Sequence, residues 1–317
     1  MKIMITGGNG FLGMRLAERL KRLGNEVILC SRNNRNNLLA EQITGCRALA
    51  MDVSSIESVR DIVTQVEPQV IIHAAATKFV DIAESQPLET LDINVVGSQN
   101  VARVAIDKGV KVVLGISTDK ASPPIRNVYG LTKSLMERLF CRLNGRGGVK
   151  FSCVRYGNVA WSTGSVLGIW KKMIEDTSQI GTTGPNMYRY FFTVDQAVDL
   201  VINAYNHIDE IAGQVISREM KAAQLIDIIN VWKSINDKIT VKSLPERHGE
   251  RQEEFLIGHE EISKTYEKKI DGIKHYILNF DQDVSNPVDS VLSSRSAEKL
   301  SFEEIKHLLQ TPPEKQI

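Results

Sequence analysis

A glycine-rich turn close to the start of the chain constrains its fold more than any other feature. Thr6-Gly7-Gly8-Asn9-Gly10-Phe11-Leu12-Gly13 follows the apolar run Ile3–Thr6 and opens an amphipathic stretch, Phe11–Leu23. Leu12, Leu16, Leu20 and Leu23 recur on one face of that stretch, and Gly24 closes it, which predicts a helix. Glycines at 7, 10 and 13 leave no side chain between the backbone and a ligand phosphate, and a helix N-terminus favours negative charge. The reading is a strand–turn–helix that binds a dinucleotide, with Gly7, Asn9, Gly10, Phe11, Leu12 and Gly13 around its pyrophosphate.

The strand–helix rhythm continues. Glu26–Cys30, Ala48–Val53, Gln69–His73, Val110–Ile116 and Phe151–Val154 read as strands. Between them, Ser54-x-x-Glu57 reads as a capping box, Pro87 opens a long helix that stops at Gly109, and Val128–Leu143 reads as a helix. Such alternation predicts a parallel sheet covered on both faces. After residue 158 the rhythm loosens. Trp161–Gly164 and Gly181–Tyr190 read as loops, and Thr193-x-x-Gln196 caps one more helix. The fold class is therefore α/β, a doubly wound parallel sheet with a smaller C-terminal substrate-binding lobe. The division expected is 1–158 for the dinucleotide-binding domain and 159–317 mainly for the lobe, with elements free to return to the sheet.

Composition narrows the function classes. With 39 Lys+Arg against 38 Asp+Glu the net charge is +1, which argues against a nucleic-acid partner held by a broad basic face. No apolar run approaches the roughly 18 residues of a membrane span, and the N-terminus enters the first strand directly, so the expectation is a cytoplasmic protein with no membrane partner. Cys30, Cys46, Cys141 and Cys153 form no CxxC pair and read as buried thiols, and no histidine pair has metal-ligand spacing, so no metal is expected.

At the end of the second strand, where an acidic residue would bind ribose hydroxyls, the chain has Ser31-Arg32. Arg32 suits a 2′-phosphate with Ser31 adding a hydrogen bond, which favours NADP over NAD. Asp52-Val53 suits the adenine edge, and Ala74-Ala75-Ala76 lets a cofactor lie against the backbone. Tyr129-x-x-x-Lys133 places an ammonium and a phenol on one helix face. A cation there favours the phenolate, which removes a proton from a hydroxyl, while Ser117 and Thr118 at the preceding strand end orient the same oxygen.

These motifs together resemble the extended short-chain dehydrogenase/reductases, of Rossmann type. Ser117-Thr118-Asp119-Lys120-Ala121 followed by Asn127-x-Tyr129-Gly130-x-Thr132-Lys133 is similar to the bacterial UDP-N-acetylglucosamine 4,6-dehydratases of surface-polysaccharide and flagellin-sugar biosynthesis. His73–Ala76, Arg155-Tyr156-Gly157-Asn158-Val159, Gly164-Ser165-Val166, Arg247-x-Gly249-Glu250 and Leu300-Ser301-x-Glu303-Glu304-Ile305 extend the likeness over nearly the whole chain. The chain departs from that pattern at Thr77–Asp81, at Pro123-Pro124 and at Arg247–Arg251, all near the expected sugar end.

The resemblance implies a redox-neutral dehydration of a UDP-sugar. Catalytic residues are then Thr118, Asp119, Lys120, Tyr129 and Lys133, the last two also meeting the cofactor. Tyr129 takes the C4 hydroxyl proton. Lys120, its pKa lowered by desolvation or by the Lys133 charge, removes the C5 proton, and Asp119 protonates the leaving C6 hydroxyl. Lys78, Asn158, Ser165, Arg189, Arg247 and Glu250 are the substrate-binding candidates, with the two arginines on the diphosphate. Trp161 and Trp170 fit lobe packing better than base stacking. The resemblance also implies a homo-oligomer, dimer or hexamer. An epimerase or reductase on a related UDP-sugar, including a 5,6-ene, is the alternative, and a non-catalytic dinucleotide sensor would not need all four of Asp119, Lys120, Tyr129 and Lys133.

Overall fold

A computed structural model describes residues 1–245 and 249–313. The first half is a run of βα units: β1 (Lys2–Thr6), α1 (Phe11–Arg22), β2 (Glu26–Ser31), α2 (Asn34–Thr44), β3 (Arg47–Ala50), α3 (Ile56–Val66) and β4 (Val70–His73). It continues through α4 (Val80–Ser85), α5 (Pro87–Leu91), α6 (Gly97–Asp107), β5 (Val112–Ile116), α7 (Val128–Leu143) and β6 (Lys150–Val154). The later elements are β7 (Asn158–Val159), α8 (Val166–Thr177), β8 (Gln179–Thr182), β9 (Tyr188–Phe192), α9 (Val194–Asn206), α10 (Ile208–Ile211) and β10 (Val215–Arg218). They end with β11 (Ala222–Gln224), α11 (Leu225–Ile235), β12 (Thr240–Ser243), β13 (Phe255–Ile257), β14 (Thr265–Ile270), β15 (Ile273–Leu278), β16 (Leu292–Ser293) and α12 (Phe302–Gln310).

Among the described residues the main sheet runs β14-β15-β10-β6-β5-β4-β1-β2-β3. The strands from β3 to β10 are parallel, and β15 and β14 add antiparallel at one edge. The β3-β2-β1-β4-β5-β6 order reverses between β1 and β4, which makes a Rossmann-type switch point at the C-terminal strand ends. β4 and β5 are buried along their whole length, as strands covered on both faces must be. Their apolar residues join Ile3, Met4, Ile5, Leu16 and Leu20 in one core.

Three expectations change. Ser55 rather than Ser54 caps α3, accepting from the Ser58 amide, while the Ser54 hydroxyl donates to Asp52. The long helix from Pro87 is interrupted by one wide π turn, Asp92–Val96, which turns Asn94 inward. Asn94 then bridges Thr77, through its amide and carbonyl, to Thr132 of α7. Gly181–Tyr190 contains the end of β8 and the start of β9, because β12 and β11, some 35–60 residues on, supply the pairing a local reading misses. α2 also escaped the pattern reading, since its asparagine-rich start is a weak helix former; Asn33 caps it and Asn37 anchors it.

Trp161 and residues of α8, β8, β9, β11, α11 and α12 form a second core, with Leu167, Trp170, Phe191, Ile228 and Ile305 among others, while α9 and α10 pack into the first. Trp161 and Trp170 spend their indole N–H groups on the Leu308 and Gly181 carbonyls, so both pack the lobe. All four cysteines are free and buried. Among the described residues no helix is long and apolar enough to cross a membrane.

Candidate active site

The C-terminal ends of β1, β4, β5 and β6 open with the lobe onto a cavity of about 730 Å³. One end of it is backbone. Gly7 sits at φ 66°, and a Cβ there would lie 2.8 Å from the Ala75 amide; at Gly13 it would lie 2.7 Å from Gly8 Cα. At Gly10 the one nearby atom is the Gly7 carbonyl oxygen at 3.1 Å, so the space beside Gly10 belongs to the cavity. No side chain caps α1, leaving its first-turn amides for another partner. Gly7, Asn9, Gly10, Phe11, Leu12, Gly13, Ala74, Ala75 and Ala76 all line this end.

Ser31, Arg32, Asp52 and Val53 lie outside the cavity lining. The Ser31 hydroxyl donates to Asn37 Oδ1 at 2.5 Å, and Asn9 donates to the same oxygen at 3.1 Å. Arg32, half exposed, faces Glu89 at 3.6 Å. Asp52 accepts from the Ser54 amide and hydroxyl, and Val53 packs against Gly97 of α6, so both side chains serve their own turn.

Tyr129 and Lys133 both reach the cavity from α7, which Asn127 caps by accepting from the Gly130 amide. The expected electrostatics differ. Burial pushes the Tyr129 phenol up to about 12, with Asp119 adding to the rise; Lys120 and a hydrogen bond from Thr118 oppose it. Lys133 is not the cation acting on the phenol. Its Nζ sits 3.2 Å from Met136 Sδ, and burial brings it down to about 8 against the pull of Cys153 and Glu137. Lys133, whose ammonium has a thioether as its hydrogen-bond partner, and Ser117, whose buried hydroxyl has no partner among the described residues, both line the cavity and suit a ligand bearing hydroxyls.

At the other end the structure assembles charges. Lys120 Nζ lies 3.1 Å from Asp119 Oδ1, 3.4 Å from Glu254 Oε1 and 3.2 Å from Asn158 Oδ1. Asp119 Oδ1 also accepts from the Thr118 hydroxyl at 3.0 Å. The lowered Lys120 pKa expected from sequence is overturned: burial pulls the ammonium down, but the Asp119 and Glu254 carboxylates outweigh it and the net direction is up. Asp119 itself is fully buried behind the wall rather than in the lining.

Glu254 is the residue the sequence reading missed. It lines the cavity, almost wholly buried, and meets Arg189 at 3.9 Å and Arg251 at 3.5 Å as well as Lys120. Its signal was the Arg251-x-x-Glu254 spacing beyond the Arg247–Arg251 motif. Lys78 also lines the cavity, donating to the Thr163 carbonyl at 2.8 Å, as do Asn158, Ser165, Arg189 and Glu250; Ser165 at the same time caps α8. Arg247 lies outside the described residues. Behind the site Arg155 is fully buried, paired with Glu137 of α7 at 2.6 Å and with Glu261 at 2.8 Å, tying the helix of Tyr129 to the segment that follows β13.

Fold and cavity define a Rossmann-type α/β protein. The chain belongs to the polysaccharide biosynthesis protein family, whose pattern it matches over residues 3–274. It is 30% identical to a UDP-glucose 4-epimerase of Rickettsia rickettsii over 98% of this chain and 95% of that protein. Its structure is similar to the X-ray structure of Pen from Bacillus thuringiensis, with a TM-score of 0.89 and 26% identity over 98% of this chain and 96% of the other. It shares its fold with TunA, an NAD-dependent NDP-hexosamine 5,6-dehydratase of tunicamycin biosynthesis, at a TM-score of 0.69 and 21% identity, covering 79% and 86% of the two chains.

Proposed function

We propose that this protein is a nucleotide-sugar 4,6-dehydratase acting on UDP-N-acetylglucosamine or a close UDP-N-acetyl-hexosamine in the cytoplasm, for surface-glycan or flagellin-sugar biosynthesis. The observation that carries the reading is the Asp119–Lys120 pair set against Tyr129, all three within electrostatic reach of one another at the strand ends. Proton transfer at a third position of a sugar, beyond the pair needed for C4 oxidation, is what elimination requires and plain hydride transfer does not.

The glycine cradle, the uncapped α1 and the orphaned Ser117 hydroxyl fit a nicotinamide dinucleotide. Gly7, Gly10 and Gly13 would hold its pyrophosphate, Lys133 its ribose hydroxyls, and Ser31 with Arg32 the 2′-phosphate of NADP. When bound, that group supplies the acceptor and later the donor of the hydride. The chain's own residues move the protons. Tyr129, with the Lys120 charge favouring its phenolate, takes the C4 hydroxyl proton. The C4 ketone acidifies C5, and the Asp119–Lys120 unit takes the C5 proton and gives one to the C6 oxygen, which leaves as water. Proton return to C5 and hydride return to C6 complete a net loss of one water. Lys78, Asn158, Ser165, Arg189, Arg247 and Glu250 are proposed to hold the UDP-sugar, with Arg189 on the diphosphate. Exposed Leu88 and Leu91 of α5 and Leu131 and Leu135 of α7 support a homo-oligomer.

Incubation with UDP-N-acetylglucosamine and mass spectrometry tests the reading: a product lighter by one water is expected. The Rickettsia relative favours a second reading, a UDP-sugar epimerase, and an isomer of unchanged mass would establish it.

A further inference from the structure

Three cations and two carboxylates are packed at the sugar end of the cavity: Lys120, Arg189 and Arg251 around Asp119 and Glu254. They come from three segments, and each except Lys120 is less than a tenth exposed. Glu254 is the hub. Its Oε1 is shared by Lys120 at 3.4 Å and Arg189 at 3.9 Å, while Arg251 approaches Oε2 at 3.5 Å. Two cations therefore compete for one carboxylate oxygen, and one of them is the proposed diphosphate ligand.

We infer that Glu254 is a positioning residue that couples the diphosphate end of the cavity to the charge of Lys120. The inference rests on the dehydratase reading for what Lys120 does. An anionic diphosphate draws the Arg189 guanidinium off Glu254 Oε1. The carboxylate is then left to Lys120, which stays an ammonium aimed by Asp119, Asn158 and Glu254 and delivers its proton to the departing C6 oxygen. As the C5–H bond breaks, its electron pair forms the C5=C6 bond and expels the C6 oxygen, which takes the Lys120 proton and leaves as water, while the C5 proton takes that proton's place on the lysine. A substrate without its diphosphate would leave Glu254 divided, so the site would link elimination to nucleotide occupancy. The charged and titratable groups facing Lys120 are Asp119 beside it, Tyr129 from α7, Arg189 from β9, and Glu254 with Arg251 ahead of β13.

The test compares wild type with Glu254→Gln and Glu254→Asp, all confirmed as folded by thermal melting. Two quantities are read. The first is the ratio of water loss to C4 oxidation across pH, the oxidation seen as reduced-cofactor absorbance; the ratio cancels the titration of Tyr129 and Lys133, which serve both steps. The second is the affinity for UDP. In Glu254→Gln the alkaline fall of the ratio should move down by about 1–3 pH units, because an opposite charge is lost beside Lys120. UDP should bind about tenfold more tightly, since Arg189 no longer has a competing carboxylate. Glu254→Asp should lie between the two. A Glu254→Gln profile and UDP affinity both matching wild type would overturn the inference. If Glu254→Gln does not fold, Glu254→Asp decides alone: a smaller shift in the same direction upholds the inference and an unchanged profile overturns it. Should wild type release no water from any UDP-hexosamine, the dehydratase reading fails, and the UDP affinities still decide the Arg189–Glu254 competition.

Discussion

The two ends of the cavity are built on opposite principles. The glycine end is made of two short runs, residues 7–13 and 74–76, both without charge, and works through what is missing: side chains at Gly7 and Gly13 would collide with backbone at under 3 Å. The charged end is made of buried charges from distant segments, each tolerable only because the others are present. A site of the first kind is fixed by covalent geometry and survives changes elsewhere. A site of the second kind is a balance of desolvation and Coulomb terms, so the loss of one member leaves its partners uncompensated.

The largest expected effect falls where the two ends meet. Tyr129→Phe keeps the ring's packing and removes the proton acceptor, so turnover should fall about 10²–10⁴-fold with an unchanged melting temperature and intact cofactor binding. Turnover within threefold of wild type would take Tyr129 out of the mechanism.

Next comes the buried scaffold of the charged end. Arg155→Leu leaves Glu137 and Glu261 buried without their cation and should cost about 3–5 kcal/mol of stability, read by urea denaturation. A cost under about 1 kcal/mol would show that the charged end tolerates missing partners as well as the glycine end does.

The buried layer behind the glycine end has its own pH dependence. His73, fully buried between the Thr6 and Ser98 hydroxyls, is brought down to about 3 by burial, with the Lys133 charge adding to the fall. Its folded pKa lies below the unfolded value of 6.5, so the unfolded chain binds the extra proton. The stability contribution is whole above pH 6.5 and is lost progressively as pH falls toward 3. Between pH 6.5 and 5 that amounts to about 2 kcal/mol. His73→Gln should flatten this part of the stability profile, and a wild-type profile already flat there would refute the assignment.

The smallest effect belongs to the rim. Arg32→Ala should weaken NADP about tenfold and leave NAD unchanged, measured by titration of each dinucleotide into the stripped protein. Equal losses for both would make Arg32 only the partner of Glu89. Release of NAD alone from denatured wild type would decide against NADP outright.

What was legible in the sequence follows the same division. Gly7, Gly10, Gly13, the strands through β6 and the Tyr129–Lys133 spacing on α7 are local patterns, and the structure places them as read. The π turn that aims Asn94 was not legible, because nothing in Asp92–Val96 breaks the helical pattern; packing selects the wider turn. The strands within Gly181–Tyr190 were not legible either, being too short to show a period before β11 and β12 pair with them.

The sequence by itself determined the parallel α/β order and the backbone cradle, because those depend on steric rules acting over a few residues. Only the tertiary structure decided the charges. It set Glu254 beside a lysine 134 positions earlier in the chain, turned Lys133 toward Met136, and raised Lys120 where burial alone would have lowered it. A pKa is fixed by every charge and dipole within several ångströms whatever its place in the chain, and that neighbourhood exists only after folding.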